Sequence, residues 1–267
     1  MRAVLMLHSI DASGSAISLT PGELRGLVSG VLRSGHAIVS LRDLLEGRER
    51  DAIALTFDDG VASLAEIAAP LLSEQGVTAT LFLTTGYVGR DNQWPSQPAS
   101  APCFPMLSWD GVESLHAAGW PIEAHTKTHA DLRTLSPDAL AEELDAPKQE
   151  IAQRLGRQPR AFAYPYGLLD ARVVQAVGER YACAVTTRMA ALPSDSPDSR
   201  SATGEHETTN SSHASSDPLR IPRLDAYYLR HPALQRLPGG FGGPPFRGLM
   251  ALRGALRRWR GHPGEHA

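Results

Sequence analysis

Cysteine is nearly absent from this chain: Cys103 and Cys183 are the only two in 267 residues. That excludes the disulfide framework of small secreted domains and leaves two isolated thiols. No apolar run approaches the roughly 18 residues needed to span a bilayer. The N-terminal stretch Met1–His8 has one charge and a short apolar run ending in histidine. It lacks the length of a signal-peptide core and a small-residue cleavage site, so it reads as a first strand, and the expected location is cytoplasmic. Acidic residues are missing between Asp225 and Glu265, where Arg230, Arg236, Arg247, Arg253, Arg257, Arg258 and Arg260 stand. Within that tract, residues 246–259 interleave basic and apolar residues at helical spacing. The pattern fits a docked terminal helix, or peripheral contact with an anionic membrane at its inner face. Nothing beyond this charge points to nucleic acid. Residues 193–218 contain no Val, Ile, Leu, Phe, Tyr or Trp. They cannot bury a core and are expected to form a disordered or mobile insertion.

What is present is an ordinary globular composition, 42% hydrophobic with a net charge of −3. The length suits one α/β domain of barrel size or two small ones. Short apolar runs alternate with helical patterns. Thr20-Pro21-Gly22-Glu23 resembles a capping box opening a helix that stops near Gly35. Strands are expected near Ala37–Ser40, over Ala52–Thr56, Val77–Thr84, Trp120–Ala124, Ala161–Tyr164 and Cys183–Thr187. Helices are expected from Val61 to Gln75, from Ser108 to Gly119, and from Ser136 toward Gly156 with a kink at Pro147. Strands separated by helices imply parallel pairing with right-handed crossovers, and their number favours a barrel over an open sheet. Function then belongs at the C-terminal ends of the strands. The loop Gly89–Pro105, with Trp94 and four prolines, is placed to serve as a lid or substrate rim.

Three polar clusters follow strand-like segments. Thr56-Phe57-Asp58-Asp59-Gly60 sets two carboxylates side by side at a strand's end. Like charges so close retain a proton or hold a cation between them, although taken alone the triplet also fits a solvated turn. His125 and His129 stand four apart, so on a helical turn both imidazoles project from one face. Two histidines plus one carboxylate, with positions left open, form the donor set of a catalytic zinc or related divalent metal. In Pro165-Tyr166-Gly167, proline and glycine set a tight turn able to aim a backbone N–H at an oxyanion, or simply to pack on the barrel mouth.

In this order, the three motifs resemble those of polysaccharide deacetylases of the NodB-homology type (carbohydrate esterase family 4), from about Met1 to Tyr228. The resemblance implies an α/β fold, a deformed (β/α) barrel over residues 1–228, with 229–267 as an Arg-rich basic tail or helix. It implies a metal-dependent hydrolase whose partner is an N-acetylated glycan or a lipid-linked sugar. Carried over by position, Asp59, His125 and His129 hold a divalent metal, zinc by preference, Asp58 is the general base, and the Tyr166 backbone N–H serves the oxyanion. Most of this family has a histidine after an apolar strand near the C-terminus as general acid, and His231 lacks that lead-in. Leu5-Met6-Leu7-His8 has the motif's character at the other end of the chain, as in poly-N-acetylglucosamine deacetylases. A closed barrel makes first and last strands neighbours, which nominates His8. The arginine expected two residues before the Pro-Tyr-Gly turn is Ala163 here, so Arg223 is the substitute candidate. Glu123 stands where many relatives have glycine. Cyclic-amide hydrolases of the same fold often lack the full ligand set, and a glycan-binding pseudoenzyme would lose Asp58 or a ligand; neither loss is seen.

Overall fold

The computed structural model describes residues 1–97, 101–192 and 217–230, with isolated positions 243, 245, 246, 248 and 252 beyond them. β1 (Arg2–Leu7) leads into a separate parallel pair, β2 (Ser9–Ile10) and β3 (Ser18–Leu19). Thr20 and Glu23 close a reciprocal capping box and Pro21 opens α1 (Pro21–Arg33). Then follow β4 (Ala37–Ile38), α2 (Leu41–Leu45), β5 (Ala52–Phe57) and a π-helical turn Leu64–Ala68 that passes into α3 (Ala69–Ser73). The order continues with β6 (Thr80–Leu83), α4 (Trp109–Ala117), β7 (Ile122–Ala124) and α5 (Pro137–Leu155). It ends with β8 (Ala161–Ala163), α6 (Ala171–Gly178), β9 (Cys183–Val185) and β10 (Leu224–Asp225). Ser108, Ser136 and Asp170 cap α4, α5 and α6 by accepting from the amides of Gly111, Ala139 and Val173. α5 runs through Pro147 and ends on left-handed Gly156.

All pairings in the main sheet are parallel, in the order β10-β1-β5-β6-β7-β8-β9, with β4 also on β5. β5 is buried at every position, as a strand covered on both faces must be. The sheet curls into a half-barrel, and the chain itself bridges the gap between β9 and β10. The Ala184 amide donates to the Pro218 carbonyl and that of Thr186 to Ile221, both at 2.8 Å. Three residues later Leu224 and Asp225 pair with Leu5 and Met6. First and last strands are therefore neighbours, as a barrel requires, and the core fills the space between sheet and helices.

Local differences from the sequence reading have physical causes. The helix expected over Val61–Gln75 is split, because Pro70 offers no N–H to the preceding turn and the ladder widens to a π-helical turn before α3 begins. The strand expected from Val77 starts only at Thr80, opposite Thr56 near the end of β5. The same edge of β5 is occupied at Ala52 and Ile53 by β4, so earlier pairing has no free partner. α6 has no counterpart in the sequence reading, although Asp170 is an ordinary cap. The expected insertion falls mainly on residues 193–216 and the basic tail mainly on residues 231–267; both lie outside the described residues apart from the isolated positions named above. Among the described residues no helix is long and apolar enough to cross a membrane.

Candidate active site

The sequence-nominated residues come together at the C-terminal mouth of the sheet. The Asp58 amide donates to the Leu7 carbonyl at 2.9 Å, prolonging the β1–β5 ladder by one residue and setting His8 beside the aspartate pair. His125 follows β7, and the Pro165–Gly167 turn follows β8. Four non-glycine residues among those described adopt left-handed backbone: Asp59 (φ 72°), Thr126 (66°), His129 (57°) and Tyr166 (57°). Such conformations are strained for L-residues, and here all four belong to the nominated motifs.

The helical turn expected for His125–His129 does not form. The segment is a loop in which left-handed Thr126 and His129 turn both imidazoles inward. Thr126 Oγ1 accepts from the His129 amide at 2.9 Å, and the Gly86 amide donates to the Lys127 carbonyl at the same distance. A Cβ on Gly86 would stand 2.6 Å from that carbonyl oxygen, so only glycine permits the approach. Glu143, buried on α5, accepts from the Lys127 and Thr128 amides at 2.9 and 2.8 Å and from the Thr128 hydroxyl. Sequence reading missed Glu143, since a glutamate on a helix face gives no sign of a loop 15 residues upstream. Glu143→Ala leaves the part-buried Lys127 and Thr128 donors without this partner and is expected to lower the unfolding free energy by about 1 kcal/mol, measured by denaturant titration.

Asp59 Oδ1 lies 3.4 Å from Nε2 of both His125 and His129. It is buried and makes no hydrogen bond, and neither does His129 Nδ1. A buried carboxylate oxygen left unpaired between two imidazole Nε2 atoms is costly, so Asp59 Oδ1 implies an absent partner there. Donor atoms about 2.0–2.2 Å from a tetrahedral ion stand about 3.4 Å apart. His125 Nδ1 is 2.8 Å from the Ala163 carbonyl, an arrangement that places its proton there and leaves Nε2 as a lone-pair donor. The three residues fit a divalent cation. Electrostatics agree for Asp59 and His129. Burial pushes Asp59 up, but the imidazoles around it outweigh burial and hold it well below the usual carboxylate range. Burial pushes His129 down to about 3, so it stays neutral. His125 is raised in spite of burial, because Asp59 and Asp58 draw a proton to it.

Asp58 has a different environment. Both its oxygens are bound by Arg223, Nη1 to Oδ1 and Nη2 to Oδ2 at 2.7 Å each. The guanidinium is wholly buried, also donating to the Thr186 carbonyl (3.0 Å) and Thr56 Oγ1 (3.2 Å). Burial pushes the Asp58 carboxyl up, Arg223 and then His125 pull it down, and the net result is below the ordinary value. Thus Arg223, which precedes β10, reaches the aspartate that the residue at 163 does not. Glu123 has its own use: it accepts from the Arg160 and Ala161 amides at 2.6 and 2.7 Å, pinning the start of β8.

A cavity of about 630 Å³ opens over these groups, lined by His8, Asp58, Asp59, His125, His129 and Tyr166. Ser13–Ile17 form part of its wall and Asn92, Trp94 and Gln97 another part; among the described residues none of the lining outside the central cluster is charged. A family model described as polysaccharide deacetylase matches residues 46–181. A Bacillus subtilis protein named putative polysaccharide deacetylase YxkH is 23% identical over 199 residues, 72% of this chain and 66% of its own length. The poly-beta-1,6-N-acetyl-D-glucosamine N-deacetylase of Staphylococcus aureus is 24% identical over 128 residues, 45% of this chain and 41% of its own. The chain thus spans less than two thirds of either relative. The solved structure of IcaB from Ammonifex degensii superposes with a TM-score of 0.64 at 21% identity, covering 88% of this chain and 96% of that one. The chain belongs to the polysaccharide deacetylase family.

Proposed function

We propose that this protein removes N-acetyl groups from an N-acetylhexosamine-containing glycan or its lipid-linked precursor, the latter handled at the inner membrane face. One observation carries the reading: three buried donor residues converge, and one of them, Asp59, adjoins a carboxylate that an arginine keeps ionised. Asp59, His125 and His129 would hold a divalent cation, zinc in our reading. Bound there, it would polarise the acetamide carbonyl and lower the pKa of the attacking water. Asp58 takes that water's proton. Each carboxylate oxygen keeps a free lone pair beyond its Arg223 bond, so the clamp orients the base without blocking it. The Tyr166 backbone N–H, fixed by its left-handed turn, serves the developing oxyanion. His8 returns a proton to the departing amine. Uncharged serine, asparagine and glutamine on the cavity wall suit a neutral sugar. The name of the S. aureus relative supports N-acetylglucosamine as the sugar.

Acetate release from N-acetylglucosamine oligomers tests this directly. Release is expected from the zinc-loaded protein, to vanish on chelation, and to return when zinc is restored. Release undiminished by chelation overturns the reading.

A further inference from the structure

The two histidines of the cluster are held in different ways. His125 has the familiar support, a ring nitrogen on a backbone carbonyl. His129 has none, because its Nδ1 is buried without a hydrogen bond. Its ring is packed instead. The Trp94 ring lies 4.3 Å away at 31°, and the Tyr166 ring meets it edge-on at 4.6 Å. Its main chain is tied to the same loop, for Ser96 Oγ donates to the His129 carbonyl at 2.7 Å. Trp94 Nε1 donates to the Tyr166 hydroxyl at 3.1 Å, and that hydroxyl donates to the Ser96 carbonyl at 3.0 Å.

An aromatic residue at the mouth of a glycan site suggests a platform for sugar rings. Trp94 is only 3% exposed, so its ring face is not available to a sugar. The loop carrying it is not a free lid either. Buried Asn92 ties its two sides together, with its backbone N–H on the Phe104 carbonyl (3.1 Å) and its Oδ1 accepting from the Phe104 backbone N–H (2.7 Å). His129 and Tyr166 are both left-handed, and both are fastened to this one segment. A strained conformation persists only where its surroundings over-determine it.

We propose that residues 92–97 are a positioning clamp for His129 and the Tyr166 turn, with Trp94 and Ser96 setting how tightly the Asp59–His125–His129 cluster holds its cation. The inference rests on the metal reading above. Stacking replaces the missing hydrogen bond as the device that keeps the His129 ring aimed at Asp59. The full chain, freed of metal, is titrated with zinc against a chromophoric chelator, and thermal unfolding of the metal-free protein checks that each variant folds. Trp94→Ala and Ser96→Ala are each expected to weaken zinc affinity by about 10–100-fold, the range for removing an outer-shell support. Trp94→Phe keeps a ring face and is expected to lose less than Trp94→Ala. Ser96→Thr keeps the hydroxyl and restores most of what Ser96→Ala loses. Folded Ser96→Ala and Trp94→Phe proteins decide the matter should Trp94→Ala fail to fold. Folded variants that all bind zinc as tightly as the unsubstituted chain overturn the clamp and leave the metal reading standing. An unsubstituted chain that takes up no zinc, behaving like Asp59→Ala, overturns both.

Discussion

Asp58→Asn is expected to lower the turnover of acetate release by about 10²–10⁴-fold, the usual contribution of a positioned proton acceptor. Asparagine has the same shape but no basic lone pair of comparable strength. Its NH₂ group would also confront an Arg223 donor across a 2.7 Å contact. Zinc content should be unchanged, because the three candidate ligands Asp59, His125 and His129 are untouched. Stability should fall as well: an uncompensated guanidinium in a wholly buried position costs about 3–5 kcal/mol when its partner is removed. Steady-state kinetics beside metal analysis and denaturant unfolding separate these effects. Turnover that stays near that of the unsubstituted protein would remove Asp58 from the proton-accepting role.

The second large effect is expected for Arg223→Met. Breaking the pair from this side leaves a carboxylate buried alone, again at about 3–5 kcal/mol. It also changes the pH dependence in a defined direction. Burial pushes the Asp58 carboxyl up, and the Arg223 charge is the leading influence holding it below its ordinary value. In the proposed role Asp58 works only when ionised, so activity falls as pH drops through its folded pKa. Without Arg223 that pKa rises, and the acid limb of the pH–rate profile moves to higher pH. The stability contributed by the depressed pKa follows the same sign. It is present above the ordinary carboxylate value, about 3.9, and is lost as pH falls through the folded one. Arg223→Lys retains a charge but not the two-pronged bond, and should show a smaller displacement. An acid limb that does not move in either variant would detach Arg223 from the base.

The parts of this site written in contiguous residues are legible in the chain alone. Thr56–Gly60 shows a strand ending in paired carboxylates, and Pro165-Tyr166-Gly167 shows a turn; each motif carries its own geometry because neighbouring residues define it. His8 is legible by a topological step, since strand neighbours in a barrel follow from the order of elements, and β1 does pair with β10. The His125–His129 spacing is visible but its conformation is not. Four residues apart suggests a helix face, whereas side-chain and backbone bonds from Glu143 and Gly86 impose left-handed turns that local propensity disfavours.

Local patterning suffices for the alternation of strands and helices and for the polar motifs at strand ends, because both are properties of short stretches of chain. The roles of Asp58, Asp59, His125 and His129 come from the ordered resemblance of those motifs to a family. The sequence nominates Arg223 only as a substitute, and folding joins it to Asp58, since 165 residues separate the pair and no spacing rule links them. Folding likewise makes Glu143 the prop of the histidine loop, sets Glu123 to pin β8, and turns Trp94 toward a histidine rather than solvent. Each of these is a contact between segments whose distance is set by the packing of the whole barrel. A buried charge or an unpaired ring nitrogen acquires its meaning only once the surroundings that desolvate it are in place.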